Sequence, residues 1–251
     1  MDGALRPYEG RRVVITGGTS GMGAATATRL LAGGARVLVT GATDRGVADA
    51  AGLLGPGAMA VRSSAESPDD IAALARLAAE HLGGVDLLFL NAGTTATAAF
   101  TEVDADDYDR IFAVNTRGPF LTAQRFVPLL PAGSSIVLTT SVANVKGMPG
   151  SSVYAASKAA LRSLARSLAR DLLPAGIRVN AVSPGPIATP ILDKVMPAAA
   201  ADALRDRFRD TNPMGRLGDP DEIARAVLFL AFDATFTTGA EIPVDGGASQ
   251  L

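Results

Sequence analysis

Short apolar runs alternate with amphipathic stretches along most of the 251-residue chain, and this alternation restricts the fold more than any other feature. Val13-Val14-Ile15-Thr16, Val37-Leu38-Val39-Thr40, Ala58 to Arg62, Val85 to Leu90, Ser135 to Thr139, Ile177 to Val182 and Glu241 to Val244 read as seven strands. Between them, helical periodicity covers Gly21 to Ala32, about Asp44 to Leu54, Ser67 to Leu82, about Asp104 to Leu130 and Ser151 to Leu173, with a further helix from Asp219. Two starts carry strong signals. Ser67-Pro68-Asp69-Asp70 and Asp219-Pro220-Asp221-Glu222 each offer a capping side chain, proline in the first turn and acids at the positive end of the dipole. Strands that are apolar on both faces belong in a parallel sheet covered by helices on each side. Right-handed crossovers then favour a doubly wound α/β sheet. A (β/α)8 barrel is the rival, one strand short.

Composition narrows the chemistry. The chain has 23 basic and 25 acidic residues, so no charge imbalance recruits nucleic acid or an anionic membrane. It has no cysteine, which removes disulfides, thiolate metal sites and a thiol nucleophile. His81 is the single histidine and falls on the polar side of a helix, so neither a Ser-His-Asp triad nor a multi-histidine metal site is expected. No metal site is expected at all. Residues 1–12 lack the apolar stretch of a secretory signal, and no apolar run reaches a membrane span, so a cytoplasmic protein is expected. No linker splits residues 1–251, and one domain is the economical reading.

The first strand runs into Thr16-Gly17-Gly18-Thr19-Ser20-Gly21-Met22-Gly23, where a helix begins. Glycines at 17, 21 and 23 allow a tight turn whose backbone amides approach a pyrophosphate at the helix N-terminus, as in a Rossmann-type dinucleotide site. Their spacing departs from the usual fingerprint, with three residues between the first two. At the end of strand two, where a carboxylate would hydrogen-bond a free ribose 2′-hydroxyl, the chain has Gly41-Ala42-Thr43, with no acid before Asp44. Arg45 follows closely. NADP(H) is favoured on this ground, with NAD(H) retained as the other candidate.

Tyr154 and Lys158 stand four residues apart on one helix, so they share a face. A tyrosine with its ordinary pKa is a poor acid or base at neutral pH. An ammonium about 4 Å away, at an effective dielectric of 20, contributes roughly 4 kcal/mol and would bring the phenol near the working pH. Only three lysines occur, Lys146, Lys158 and Lys194, which makes the pairing hard to dismiss as accident.

With these residues in hand, the chain resembles the short-chain dehydrogenase/reductases, in their single-domain branch. The resemblance rests on Thr16-Gly17 through Gly23, Asn91-Ala92-Gly93, Asn115, Ser141, Tyr154 with Lys158, and Pro184-Gly185. It implies that Tyr154 is the general acid or base and that Ser141 hydrogen-bonds the substrate oxygen. Lys158 would depress the tyrosine pKa and hold the nicotinamide ribose. Asn115 would hold a water in a proton relay.

The cofactor would meet Gly17, Thr19, Ser20, Gly21, Met22, Gly23, Gly41, Ala42, Thr43, Ser64, Ala65, Asn91, Ala92 and Gly93, besides Tyr154 and Lys158. Pro184, Gly185, Ile187 and Thr189 would hold its carboxamide end. The family commonly has an aspartate after strand three where this chain has Ser63-Ser64-Ala65, and a second asparagine where it has Leu90. The segment from about 187 to 217 would be a mobile lid, with a short helix near Ala198 to Arg209. Val142, Met148, Val153, Leu192 and Met196 suggest a hydrophobic ketone. The resemblance also implies a homo-oligomer, tetramer or dimer. Arg162, Arg166 and Arg170 recur every four residues, as on a solvated or intersubunit face.

The leading expectation is an NAD(P)-dependent oxidoreductase moving hydride between nicotinamide and a ketone or secondary alcohol. Its rivals are a 3-oxoacyl-type thioester reductase, a non-catalytic nucleotide-binding regulator, and an isomerase or dehydratase using the same tyrosine.

Overall fold

In a computed structural model of the chain, residues 6–251 are described. The seven strands are β1 (Arg12–Thr16), β2 (Arg36–Gly41), β3 (Ala58–Arg62), β4 (Leu87–Leu90), β5 (Ser135–Thr139), β6 (Arg178–Pro184) and β7 (Glu241–Val244). They form one sheet in the order β3-β2-β1-β4-β5-β6-β7, parallel at every pairing. The doubly wound expectation holds and the barrel is excluded: the sheet is open, with β3 and β7 at its edges.

Alternation along the strands divides the core into two layers. Val14, Leu38, Leu88 and Leu138 face one side, where they meet Leu74 and Ala78 of α3 (Pro68–Leu82), Phe126 of α5 (Gly118–Phe126) and Leu161 of α6 (Ser152–Leu172). Val13, Ile15, Val39, Phe89 and Val137 face the other, against Leu30 of α1 (Gly21–Ala32) and Ile223 and Val227 of α8 (Pro220–Leu228). The side-chain period of two sends successive residues to opposite layers, and buried Leu and Phe side chains each contribute about 1.5–3 kcal/mol. The remaining helices are α2 (Asp44–Leu54), α4 (Ala105–Phe112) and α7 (Ala198–Thr211).

Both anticipated helix starts form. Ser67 accepts from Asp70 N at 3.2 Å, and Asp219 with Glu222 makes a reciprocal capping box. The edge strands depart from the two-sided apolar pattern: β3 and β7 are only partly buried, because each lacks a neighbour on one side.

The long helix expected from about Asp104 to Leu130 is not continuous. α4 ends at Phe112, residues Ala113–Arg117 form a π turn, and α5 resumes at Gly118 before a 3₁₀ turn over Val127–Leu129. Pro119 has no N–H for the helical ladder and Pro128 repeats the interruption. The wider turn also carries Asn115 into the interior, where it is fully buried.

Strand order reverses between β1 and β4, and the carboxyl ends on either side of that switch carry the glycine-rich turn, Asn91 and Ser141.

Candidate active site

The glycine-rich turn is held by close backbone packing. Gly17 has φ +63°, and a Cβ there would lie 2.8 Å from Ala92 Cα. A Cβ on Gly23 would lie 2.4 Å from Gly17 O. Asn91 Nδ2 donates to Gly17 O at 2.9 Å, and Thr16 Oγ1 accepts from the amides of Asn91 and Ala92. Ser20 caps α1 but makes no side-chain cap bond, and the first turn holds no acid. The leading amides of α1 are therefore not taken by a side-chain cap, and the positive end of its dipole is not neutralised. A dinucleotide pyrophosphate fits this cradle.

At the outer end of the cofactor side, Gly41 leaves room for Thr19, whose Cγ2 would lie 2.7 Å from a Cβ. Ala42 is exposed, and Thr43 caps α2 by accepting from Gly46 N. Arg45 points into solvent and approaches only Asp49, at 3.9 Å. The sequence reading missed Arg62. It lies in register with Gly41 across the β2–β3 ladder and reaches Asp44 at 4.0 Å. Nothing in the sequence marks it, because strand register is a tertiary property. Ser64 N donates to Asp70 Oδ2 at 2.8 Å. Ala65 and Ala92 border a small cleft, about 10 Å³, beside Thr16 and Ser63.

A second, larger cavity of about 500 Å³ opens at the carboxyl ends of β4, β5 and β6. Ten anticipated residues line it: Met22, Asn91, Gly93, Ser141, Tyr154, Lys158, Pro184, Gly185, Ile187 and Thr189. The turn glycines, Thr19, Ser20, Gly41 to Thr43, Ser64, Ala65 and Ala92 lie outside it, towards the cradle.

Ser141 follows β5 in an extended conformation and its hydroxyl accepts from Ala143 N. Tyr154 and Lys158 are one turn apart on α6, and Ser141 lies near enough to the tyrosine hydroxyl to favour its ionised form. Lys158 is 3% exposed and donates to Thr139 O at 2.8 Å, with Nζ 5.8 Å from the Tyr154 ring centre.

The electrostatics correct one expectation. Burial raises the Tyr154 phenol above its ordinary pKa, and Ser141 opposes this. Burial also lowers Lys158, to about 8. In the cofactor-free protein burial therefore outweighs any depression of the tyrosine by its lysine, whose Nζ stands 5.8 Å from the ring centre.

Asn115 lies behind the cavity. Its Nδ2 donates to Thr94 O at 2.9 Å and Ser157 Oγ at 3.0 Å, and its Oδ1 accepts from Thr94 N at 2.8 Å. It thus clamps the Gly93–Thr94 backbone to the helix that carries Tyr154 and Lys158.

Residues 188–217 arch over the cavity from a narrow base, where Ile187 pairs with Gly218. Gly218 N donates to Pro186 O and Ala188 N to Gly218 O, each at 2.9 Å. The helix in this segment is α7. Of the apolar residues expected at the pocket, Val142, Met148 and Leu192 line it, whereas Val153 is buried inside α6 and Met196 stands outside; Leu204, Phe208 and Leu217 take their place.

Of the three arginines on the α6 stripe, Arg166 and Arg170 are exposed and Arg162 differs from them. It is not solvated but lies 3.5 Å from Glu241 and donates to Gly239 O at 3.0 Å. Glu241 accepts in addition from the Thr140 hydroxyl and, at 2.7 Å, from Asn144 Nδ2. These two bracket Ser141, so a β7 carboxylate fixes the loop that presents the serine. Glu241→Ala is expected to lower kcat about tenfold or more with little change in KM, and Glu241→Gln to restore most of it. A change in melting temperature without a change in kcat would show that the contact only stabilises the fold.

Among the described residues, His81 is exposed, no cluster of His, Cys, Asp or Glu is arranged to hold a metal, and no helix is long and apolar enough to cross a membrane.

The profile of a family described as enoyl-(acyl carrier protein) reductase matches residues 17–249. The chain is 36% identical over 251 residues to the oxidoreductase asL5 of Sarocladium schorii, covering 99% of both chains. It is also 36% identical to the 3-oxoacyl-[acyl-carrier-protein] reductase FabG of Thermotoga maritima, covering 95% of this chain and 98% of that protein. The crystal structure of 3-ketoacyl-(acyl-carrier-protein) reductase from Brucella melitensis complexed with NADH superposes with a TM-score of 0.88 at 34% identity, covering 96% of this chain and 99% of that one. The chain belongs to the short-chain dehydrogenase/reductase family. It is a nicotinamide-dependent oxidoreductase of carbonyl and alcohol groups. In this oxidoreductase the glycine-rich cradle and the cavity at Ser141 and Tyr154 both lie at the carboxyl ends of the strands, and Met22 of α1 lines the cavity.

Proposed function

We propose that the enzyme interconverts a ketone with an apolar body and its secondary alcohol, using NADP(H) in preference to NAD(H). The observation that carries this reading is the meeting of Ser141, Tyr154 and Lys158 on one wall of the large cavity. When bound, the nicotinamide supplies or accepts the hydride. The Ser141 and Tyr154 hydroxyls, on one wall of the cavity, can both hydrogen-bond one substrate oxygen. Tyr154 donates its proton to that oxygen in reduction and removes it in oxidation. Lys158, fixed by Thr139 O, is placed for the ribose hydroxyls, and Asn115 keeps Thr94 and α6 in register.

The segment 188–217 acts as a substrate lid hinged at the Ile187–Gly218 pairing, within one domain spanning the chain. The exposed aromatic side chains of Phe120, Phe229 and Phe236 support a homo-oligomer.

The cofactor preference rests on Gly41, which puts no carboxylate at the strand end itself, and on Arg62 and Arg45 nearby. Asp44, within 4.0 Å of Arg62, tempers it. Fluorescence titration is expected to give tighter binding of NADPH than NADH by about tenfold, narrowed in Arg62→Ala. Tighter NADH binding would reverse the assignment. A ketone panel, with a 3-oxoacyl thioester included, then tests the reaction class by loss of reduced-nicotinamide absorbance. Stoichiometric consumption of cofactor excludes the regulator and the isomerase or dehydratase.

A further inference from the structure

We infer that the substrate carries an anionic oxygen group beside its apolar body, and that Lys146 and Arg207 bind this group at the cavity mouth. The inference rests on the carbonyl-reductase reading above. Among the described residues, the charged side chains lining the cavity are Lys146, Lys158, Arg205 and Arg207, with no aspartate or glutamate, although acids outnumber bases in the chain. Two of these cations are accounted for. Lys158 is held by Thr139 O, and Arg205 pairs with Asp193 at 2.6 Å and Asp202 at 2.9 Å.

The other two have no carboxylate within 4.0 Å among the described residues. Arg207 is the informative one. It shares a helical face with Leu204, Phe208 and Thr211, all of which line the cavity. Its neighbours Arg205 and Arg209 each pair with an aspartate one turn earlier, Asp202 and Asp206, whereas Arg207 has Leu204 at that position. Arg207 is exposed at the rim of the cavity, so its guanidinium is open to an incoming anion.

Lys146 comes from the opposite side, on the loop after Ser141, and its Nζ is steadied by Ala248 O at 2.9 Å. One carbonyl uses one of its three donors and none of its charge. Lys194 is directed elsewhere, to Ser20 Oγ at 3.1 Å by the glycine-rich turn, on the cofactor side. Apolar walls of Met148, Leu192 and Phe208 leading to an unpaired lysine and arginine suit an oxo compound whose anion stays at the solvent edge.

The anion is a carboxylate or a phosphate, and matched pairs separate them. One pair is 4-oxononanoate with its methyl ester; the other is acetoacetyl-coenzyme A with the acetoacetyl thioester of N-acetylcysteamine. The expected result is a kcat/KM about tenfold or more higher for the anionic member of one pair, carboxylate or phosphate accordingly. In Lys146→Ala/Arg207→Ala that ratio should collapse towards unity. Cofactor binding, followed by fluorescence, should stay unchanged. Equal rates within both pairs, or an unchanged ratio in the double variant, would overturn the inference and leave the carbonyl-reductase reading standing. A weakened cofactor affinity in the double variant would instead assign these cations to the cofactor phosphates. No turnover of any of the four compounds, or of any neutral ketone, would remove the reading on which the inference rests.

Discussion

Tyr154→Phe is expected to lower kcat by about 10²–10⁴-fold while the enzyme still binds its cofactor. The ring keeps its volume and packing, so only the hydroxyl that faces Ser141 is lost. Stopped-flow turnover together with cofactor titration measures the two quantities separately. Loss of both would point to misfolding, and retention of most of the activity would remove Tyr154 from the reaction. The companion variant sharpens the assignment. Burial raises the Tyr154 pKa and Ser141 is what opposes it, so Ser141→Ala should move the rising limb of the pH profile for alcohol oxidation to higher pH. Oxidation requires the phenolate, and a phenol that ionises less readily reaches that state only at higher pH. A limb that stays in place would show that Ser141 does not act on the phenol.

Lys158→Met should abolish turnover and yet stabilise the cofactor-free protein at pH 7. Burial lowers Lys158 from 10.5 to about 8, so in the folded state the ammonium is held against a desolvation cost. Linkage sets the sign. Between pH 8 and 10.5 the unfolded chain binds the proton that the folded chain has released, so this residue's contribution makes stability rise with pH through that window. Below pH 8 both states are protonated and the full penalty applies, on the order of 3 kcal/mol. Removing the ammonium relieves it but leaves Thr139 O without its donor, which costs about 1 kcal/mol. A net gain of roughly 2 kcal/mol in denaturant unfolding is therefore expected at pH 7, fading as the pH rises from 8 and gone by about pH 10.5. A destabilised variant would mean that the hydrogen bond outweighs desolvation. The lysine is retained for its chemistry at the expense of stability, a common pattern at active sites.

Local signals in the sequence were strong where one residue type does one job. Ser67 and Asp219 cap helices in the structure as their sequence context demands, and the β-branched runs become the central strands. Tyr154 and Lys158 were legible because four residues on a helix always share a face. The breaks in the long helix were less legible. The stretch from Asp104 to Leu130 has continuous helical periodicity, and only the demand for Asn115 in the interior, with Pro119 just beyond, opens the π turn.

Long-range partners were not legible at all. Arg178 donates to the carbonyls of Leu230, Ala231 and Ala234 in and just after the π turn that follows α8, and Asn180, fully buried in β6, bonds Thr237 O and Ala240 N. Glu241 reaches Thr140 and Asn144 about 100 residues away. A carboxylate on an edge strand looks solvated in sequence, and nothing local distinguishes it from one that is.

By itself, then, the sequence determined the strand–helix alternation, the caps, the glycine-rich turn and the Tyr154–Lys158 face. Each depends on backbone geometry and spacing over a few residues, which are the same wherever they occur. The tertiary structure decided which cations are free at the cavity, which arginine stands beside Gly41, and how far Lys158 lies from the Tyr154 ring. It also decided the direction of their pKa changes, because desolvation and charge–charge distance depend on what the whole fold brings together.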